Sequence, residues 1–189
     1  MLDKITKMKT ITLAFLLIVN AAYALDAEEI RKIASEPHDR KDIIEPLKIY
    51  PDAREYKITE RFAADDKELQ AGPEIIAKEK VVRGKYVVSE SLFPGTENPL
   101  IMVVTYDSKT DNFKKWILHP NGAVSESTGI ADLEKRTIAW VSNSKPEAGD
   151  PITALAIESH ADDKSTWKST VIQGEKIIYR SEGLAVKTK

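Results

Sequence analysis

The fold is decided by residues 81–144, which read VVRGKYVVSESLFPGTENPLIMVVTYDSKTDNFKKWILHPNGAVSESTGIADLEKRTIAWVSNS. Short runs rich in β-branched and aromatic residues alternate there with tight turns, the sharpest at Arg83-Gly84 and Pro120-Asn121-Gly122. Asn-Gly favours a type I′ turn at the second of these positions. Because short links force neighbouring strands to run antiparallel, this stretch predicts a β-meander.

The same pattern continues on both sides of that stretch. The predicted strands cover residues 54–62, 74–82, 85–92, 100–106, 113–118, 123–131, 137–141, 153–160, 166–172 and 176–182. An open sheet of this length would expose two edges, and closure removes both of them. We therefore predict an up-and-down β-barrel, with a two-sheet sandwich as the alternative.

Two of the predicted strands have an unusual composition. Leu100 to Tyr106 is apolar on both faces, which is typical of a strand that is covered on each side. Ala123 to Ala131 carries small or polar residues on both faces, with Val124 and Ile130 as its bulkiest apolar residues. Such a strand either lies at an edge or lines a space that larger side chains would fill.

The segment before the strands is predicted to be helical. Asp26 and Glu29 have the spacing of a capping box, and the apolar residues that follow them share one helical face. A second short amphipathic piece covers residues 41–45, and Pro46 is predicted to end it. Helices this short are marginal alone, so we expect them to pack as an end cap rather than as a lid.

The first 24 residues have the features of a secretory signal. Lys4, Lys7 and Lys9 precede an apolar run over residues 11–19, and the small-x-small site Ala22-Tyr23-Ala24 follows. That run is too short to span a bilayer, which needs about 20 apolar residues. We predict export to the periplasm or the cell exterior, without stable membrane insertion after cleavage. The predicted segments are a signal peptide (1–24), an N-terminal helical segment (25–52) and a β-barrel domain (53–189).

Charge and cysteine content exclude several classes of function. The net charge is −2, and loss of three lysines and one aspartate with the signal would make it −4. A mildly acidic chain has no electrostatic reason to bind nucleic acid or an anionic membrane face. With no cysteine, the chain has no disulfides, cysteine-zinc sites or thiol catalysis.

Four short motifs lie at residues 82–88, 104–107, 113–117 and 178–180. They resemble the Gly-Arg/Lys-aromatic hairpin, Gly-Tyr-Asp strand end, Trp-Ile strand and closing Tyr-x-Arg of the DUF1579 family. The resemblance covers about the last hundred residues and implies a calycin-like barrel without an agreed activity. The predicted fold is therefore mainly β, an antiparallel meander closed into a lipocalin-like β-barrel with a short N-terminal helical segment.

The predicted function is binding of a small apolar or aromatic ligand inside the barrel. Barrels of about eight strands are either filled by side chains or hold one small ligand. We expect Tyr86, Trp116 and Trp140 to line the cavity, and Ser125 and Ser127 to give it room. No cofactor is assigned from the sequence.

Histidine and carboxylate positions leave two other functions open. His38, His119 and His160 have no metal-binding spacing, so we predict no metal site and ordinary rim positions for the later two. The carboxylates inside strands are expected on the solvated outer face, and these are Glu79, Glu90, Glu126 and Glu158. Arg180 is expected to be paired, by a salt bridge or to carbonyl groups. The alternatives are a structural or interaction module with a filled barrel, and a hydrolase or isomerase that uses an inward Glu or His.

Overall fold

The structure is a computed structural model that describes residues 25–51, 55–65, 67–146 and 149–188. The predicted signal peptide lies outside the described residues. The chain begins with helix α1 (Ala27–Ser35) and a 3₁₀ turn (Glu45–Ile49). The strands are β1 Glu55–Ala64, β2 Gln70–Ala71, β3 Ile75–Val82, β4 Tyr86–Ser91, β5 Leu100–Asp107, β6 Asn112–Leu118, β7 Val124–Asp132, β8 Thr137–Ser144, β9 Ile152–His160, β10 Lys164–Gln173 and β11 Lys176–Lys187.

The strands form one closed antiparallel barrel, as the sequence predicts. From β3 to β11 each strand pairs with the next in chain order, and β11 pairs with β1 from Tyr56↔Lys187 to Ala64↔Tyr179. On its other side β1 pairs with β3 at its start and with the short β2 near its end. Ten strands therefore build the wall of the barrel. The short β2 pairs with the end of β1, which β3 does not reach.

Closure is reinforced by Arg180 of β11, whose Nη2 donates a hydrogen bond of 2.7 Å to the carbonyl of Lys67. The prediction that this charge is paired with a backbone carbonyl is confirmed. In the described ranges no helix has the length and apolar character needed to cross a bilayer.

Helix α1 lies against the outside of the barrel. Asp26 Oδ1 accepts the backbone N–H of Glu29 at 2.9 Å, and Glu29 Oε2 accepts the N–H of Asp26 at 3.1 Å, so the predicted capping box is present. The buried face of the helix is Ile30, Ile33 and Ala34. It packs on the outer residues of β3–β6, which are Val82, Val88, Ile101, Val103, Trp116 and Leu118.

Strand β5 is covered on both faces, as its composition predicts. Ile101 and Val103 pack against α1 outside the barrel. Val104 points into the barrel and packs in a second cluster with Phe113. Because each face of β5 meets apolar partners, the strand needs no polar side.

The 3₁₀ turn and the tyrosine after it, residues 45–50, form a plug in one end of the barrel. Leu47 is fully buried and Ile49 and Tyr50 nearly so, among inward side chains of β3–β8. Two hydrogen bonds fix the backbone of the plug. The N–H of Ile44, just before it, donates to the Gly84 carbonyl at 3.0 Å, and the side-chain Nη2 of Arg136 donates to the Ile49 carbonyl at 3.0 Å. This segment is therefore an end cap of the barrel and not a lid.

Two local predictions are wrong for reasons of backbone geometry. Pro46 begins the 3₁₀ turn instead of ending a helix, because a proline lacks the N–H that the first turn leaves unused. At Pro120-Asn121-Gly122 only Gly122 has a positive φ, 87°, and His119 N–H bonds to the Ala123 carbonyl. This is a three-residue loop in which Pro120 and Asn121 are the central residues of a turn closed by Gly122 N–H to the His119 carbonyl at 2.9 Å. It is not a type I′ turn, because Asn121 lacks the positive φ that such a turn requires. In the other predicted turn, the backbones of Arg83 and Gly84 both have a positive φ, in the left-handed region.

Candidate functional site

The barrel encloses a cavity of about 440 Å³ above the plug. Its wall is mostly apolar, and Tyr56, Trp140 and Trp167 supply the aromatic part of it. Phe93, Leu100 and Ile117 line the end opposite the plug, which we call the mouth. Hydroxyl groups are spread around the wall at Ser89, Ser91, Ser125, Ser127, Ser142, Ser165, Thr166, Ser169 and Ser181.

Each of the two inward tryptophans lies over a glycine on the neighbouring strand. Trp140 is the cross-strand partner of Gly129, and a Cβ placed on that glycine would come within 2.6 Å of the indole ring. Trp167 is the partner of Gly183 and approaches it even more closely. Because glycine has no side chain, both rings lie flat against the wall and leave the centre open.

Strand β7 also keeps the cavity open. Ser125 and Ser127 point inward and line it, together with Ser142 of β8 and Ala154 and Ala156 of β9. Small side chains leave volume that larger ones would fill. The strand lies between β6 and β8, so it lines a space and is not an edge.

The structure separates the five predicted binding residues into two groups. Trp140, Ser125 and Ser127 line the cavity. Tyr86 and Trp116 lie on the outer face, where they pack in the cluster that α1 covers. The prediction that these two line the cavity is wrong, because helix α1 covers the outer faces of β4 and β6 and buries apolar side chains there.

A charged pair is buried at the floor of the cavity, next to the plug. Lys115 Nζ and Glu158 Oε1 are 2.6 Å apart, and their side chains are 8% and 17% exposed. The Lys115 ammonium also lies 4.0 Å from the centre of the Trp140 ring, within cation–π range. The pair therefore joins β6 to β9 across the barrel interior.

His160 and Tyr50 complete the floor. His160 Nδ1 is 2.9 Å from Ser165 Oγ, and its Nε2 is 3.9 Å from Glu158 Oε2. The Tyr50 ring lies on the imidazole with centres 4.6 Å apart. These four side chains, Tyr50, Lys115, Glu158 and His160, are called the floor cluster below.

The environment shifts the pKa of three groups in the floor cluster. Burial raises the pKa of Glu158, but the charge and hydrogen bond of Lys115 outweigh it, so the net pKa lies below the ordinary value. Burial lowers the pKa of His160, with Glu158 opposing and Arg136 and Lys115 adding to the effect. Burial raises the pKa of Tyr50, and the nearby carboxylates raise it further. At neutral pH Glu158 is therefore a carboxylate, His160 a neutral imidazole and Tyr50 a phenol.

Two of the four strand carboxylates contradict the prediction of a solvated outer face. Glu79 and Glu158 line the cavity. Glu90 and Glu126 lie outside, 3.7 Å from Lys80 and 3.8 Å from Lys114 respectively. In the middle of β9 the inner positions Ala154, Ala156 and Glu158 are small or charged, and the outer positions between them are apolar, the reverse of the usual pattern. The sequence signal was the alternation Ala-x-Ala-x-Glu-x-His over residues 154–160, which puts these side chains on one face of β9. The other face carries Leu155 and Ile157, which are exposed in the structure.

The two late histidines differ in position. His119 lies at the mouth, where its Nε2 is 3.1 Å from Ser125 Oγ. His160 is 9% exposed at the floor, so the prediction of a rim histidine is wrong for it. Among the residues that the structure describes, no group of three His, Cys, Asp or Glu side chains is arranged to hold a metal ion.

No protein-family model matches this chain, and no curated protein does. The resemblance to the DUF1579 family therefore stays a prediction from four short motifs. What the chain offers as evidence for function is the geometry of the cavity and its floor.

Proposed function

We propose that this protein binds one small molecule with an apolar or aromatic body inside its barrel. The observation that carries the proposal is the cavity of about 440 Å³. Ligand sites in proteins are concave, mostly apolar and roughly 300–1,000 Å³ in volume, with a few polar groups that fix orientation. The barrel interior has each of these properties.

The shape of the wall supports a flat ligand body. Trp140 and Trp167 present ring faces, held against the wall by Gly129 and Gly183. An aromatic ligand can stack on such faces or meet them edge-on, and both arrangements contribute beyond the area buried. The plug closes one end, so the ligand enters through the mouth.

Export of the protein belongs to the proposal as well. It rests on the basic, apolar and small-residue order of residues 1–24. A carrier that works outside the cytoplasm without disulfides needs a closed, well-packed fold. The barrel has such a fold, because its strands pair continuously around the wall.

Two other functions rank below binding. An open interior of this volume counts against a module whose barrel is filled by side chains. A buried carboxylate next to a histidine favours proton-transfer chemistry, since a hydrolase or isomerase needs a base beside its substrate. Lys115 holds the pKa of Glu158 low, however, and a base with a low pKa takes up protons poorly. Binding is therefore the better-supported function.

The test is saturable uptake of Nile red, a neutral apolar dye, by the purified protein. Ala156→Phe places a ring inside the cavity beside Trp140, whereas Ala139→Phe places the same ring on the outer face of β8. We expect Ala156→Phe to weaken dye binding at least about tenfold through lost volume, and Ala139→Phe to leave it unchanged. Ser127→Phe is a second filling variant.

Circular dichroism and thermal unfolding establish that each variant is folded. No saturable uptake by the unchanged protein would overturn the proposal. Equal affinity in the folded filling variants would do the same, because it would place the dye outside the barrel.

A further inference from the structure

Among the residues that the structure describes, several buried polar atoms at the floor of the cavity have no hydrogen-bond partner. They include the hydroxyl of Tyr50 and Nε2 of His160, on side chains that are 3% and 9% exposed. Leaving such an atom unsatisfied costs about 1–3 kcal/mol, so buried polar atoms normally meet a protein group, a water molecule or a ligand. Both residues line the cavity, which places a binding partner for these atoms inside it.

The spacing of the floor cluster indicates what kind of group fits. Glu158 Oε1 is occupied by Lys115, while Oε2 is 3.9 Å from His160 Nε2, too far for a direct hydrogen bond. A single oxygen that both donates and accepts can serve the two atoms. It donates a hydrogen bond to the carboxylate and accepts one from the imidazole N–H, with Ser165 donating to Nδ1 at 2.9 Å.

The charges of the cluster favour a neutral group. Lys115 and Glu158 neutralise each other, and burial keeps His160 neutral. An added full charge would have to be desolvated without a counter-charge within this cluster, which is expensive in a buried site. The Tyr50 ring lies 4.6 Å from the imidazole, centre to centre, and its hydroxyl has no hydrogen-bond partner among the described residues, so it is available as a second donor beside His160.

We propose that the floor cluster binds the neutral hydroxyl group of the ligand, so that the ligand class is aromatic or apolar alcohols and phenols. This inference rests on the proposed function, because the hydroxyl must belong to a body that fills the cavity. Glu158 accepts a hydrogen bond from the hydroxyl group, His160 donates one to the hydroxyl oxygen, and the Tyr50 hydroxyl is the further donor.

The test compares three probes of one shape by displacement of Nile red at pH 7. The probes are naphthalene, 2-naphthol and 2-naphthoate, which differ in carrying no polar group, a neutral hydroxyl or a carboxylate. We expect 2-naphthol to bind at least about tenfold more tightly than naphthalene, and 2-naphthoate more weakly than 2-naphthol. The tenfold preference corresponds to one well-made hydrogen-bonded group.

Two variants assign the preference to the floor. Tyr50→Phe removes one donor while keeping the ring on His160, and His160→Phe removes the imidazole nitrogens. Both are expected to reduce the ratio of the naphthalene and 2-naphthol dissociation constants by at least about threefold. Tyr106→Phe is the matched control, because it deletes a phenol hydroxyl that bonds to Asp111 away from the cavity, and it should keep the ratio. Tyr50→Phe preserves the plug, so the test does not depend on the folding of His160→Phe.

The outcomes separate this inference from the proposed function. Equal binding of naphthalene and 2-naphthol would overturn the hydroxyl assignment and leave apolar binding standing. Tighter binding of 2-naphthoate would overturn it in favour of an anionic head group. An unchanged ratio in Tyr50→Phe would also overturn it, because the selectivity would then arise elsewhere. If no probe displaces the dye, the proposed function fails together with this inference.

Discussion

The titration of His160 affects stability, because the imidazole is buried against charges from several elements. Glu158 lies on its own strand, Lys115 and Arg136 approach it from β6 and the β7–β8 turn, and Tyr50 covers its ring. Its pKa lies below the ordinary value of 6.5, with burial as the main cause. The unfolded chain therefore binds this proton more readily than the folded protein does.

We predict that the free energy of unfolding is insensitive to His160 above about pH 6.5 and falls as the pH drops from there towards the lowered pKa. His160→Gln should flatten this dependence between about pH 6.5 and pH 5, as measured by urea unfolding at closely spaced pH values. His119→Gln is the matched control and should keep the slope, since His119 lies at the mouth. If the pH dependence of the free energy of unfolding is unchanged in His160→Gln, another titrating group causes it.

Single residues are also where prediction from sequence was weakest. Period-two alternation places Trp116 and Lys115 on opposite faces of β6 but does not say which face is inside. Apolar residues usually mark the inner face, yet Trp116 faces α1 while the charged Lys115 points into the barrel. That assignment depends on where a distant helix packs and on whether a buried charge finds a partner, which here is Glu158. Neither condition is visible within one strand.

Among the elements, the plug combines a short local structure with deep burial. A 3₁₀ turn of five residues has little stability of its own, so its place in the barrel depends on the side chains that it inserts. Leu47 is fully buried there, within the inner cluster that also holds Phe113 and Trp140. A short element of this kind is stabilised by the packing of its side chains rather than by the helix propensity of its residues.

We predict that Leu47→Ala lowers the free energy of unfolding by about 2–5 kcal/mol, the cost of a large-to-small change in a packed core. Leu133→Ala is the same substitution at a position that is 50% exposed, and it should change stability by less than about 0.5 kcal/mol. Urea unfolding of the two variants measures both values. Similar small losses would mean that the plug does not seal the barrel end.

Elements with a local signal were predicted correctly. A few adjacent residues determine the capping box at Asp26 and Glu29, and the same holds for the hairpin at Gly84. The structure contains both. The turn at Pro46 was assigned wrongly because proline is compatible with the start of one helix and the end of another. The choice was decided by the apolar residues after it, which find their partners inside the barrel.

For the whole molecule, the prediction of closure followed from the need to hide two sheet edges, and it is confirmed. β11 supplies that closure by pairing with β1 along nine residue pairs while also pairing with β10. Without β11, both β1 and β10 would present unpaired backbone groups, and the cavity would lose one side. The last strand is therefore required for the interior to exist.

We predict that a chain ending at Gly174 shows no cooperative unfolding and no saturable uptake of Nile red. Addition of a peptide covering residues 176–188 should restore both, because a free strand can complete an open sheet by backbone pairing. A peptide of the same composition in scrambled order is the control and should restore neither. Cooperative unfolding of the shortened chain alone would show that closure is dispensable.

The pairing of the first strand with the last also governs when the protein can fold. While a ribosome is still adding residues 176–187, β1 has no partner on one side, so the nascent chain cannot assemble its final interior. Contacts between residues so far apart in sequence form slowly, because a long loop must be closed first. Until residues 176–187 are made, the chain therefore lacks its closed interior, a state compatible with passage through a narrow translocation pore, as the proposed export would require.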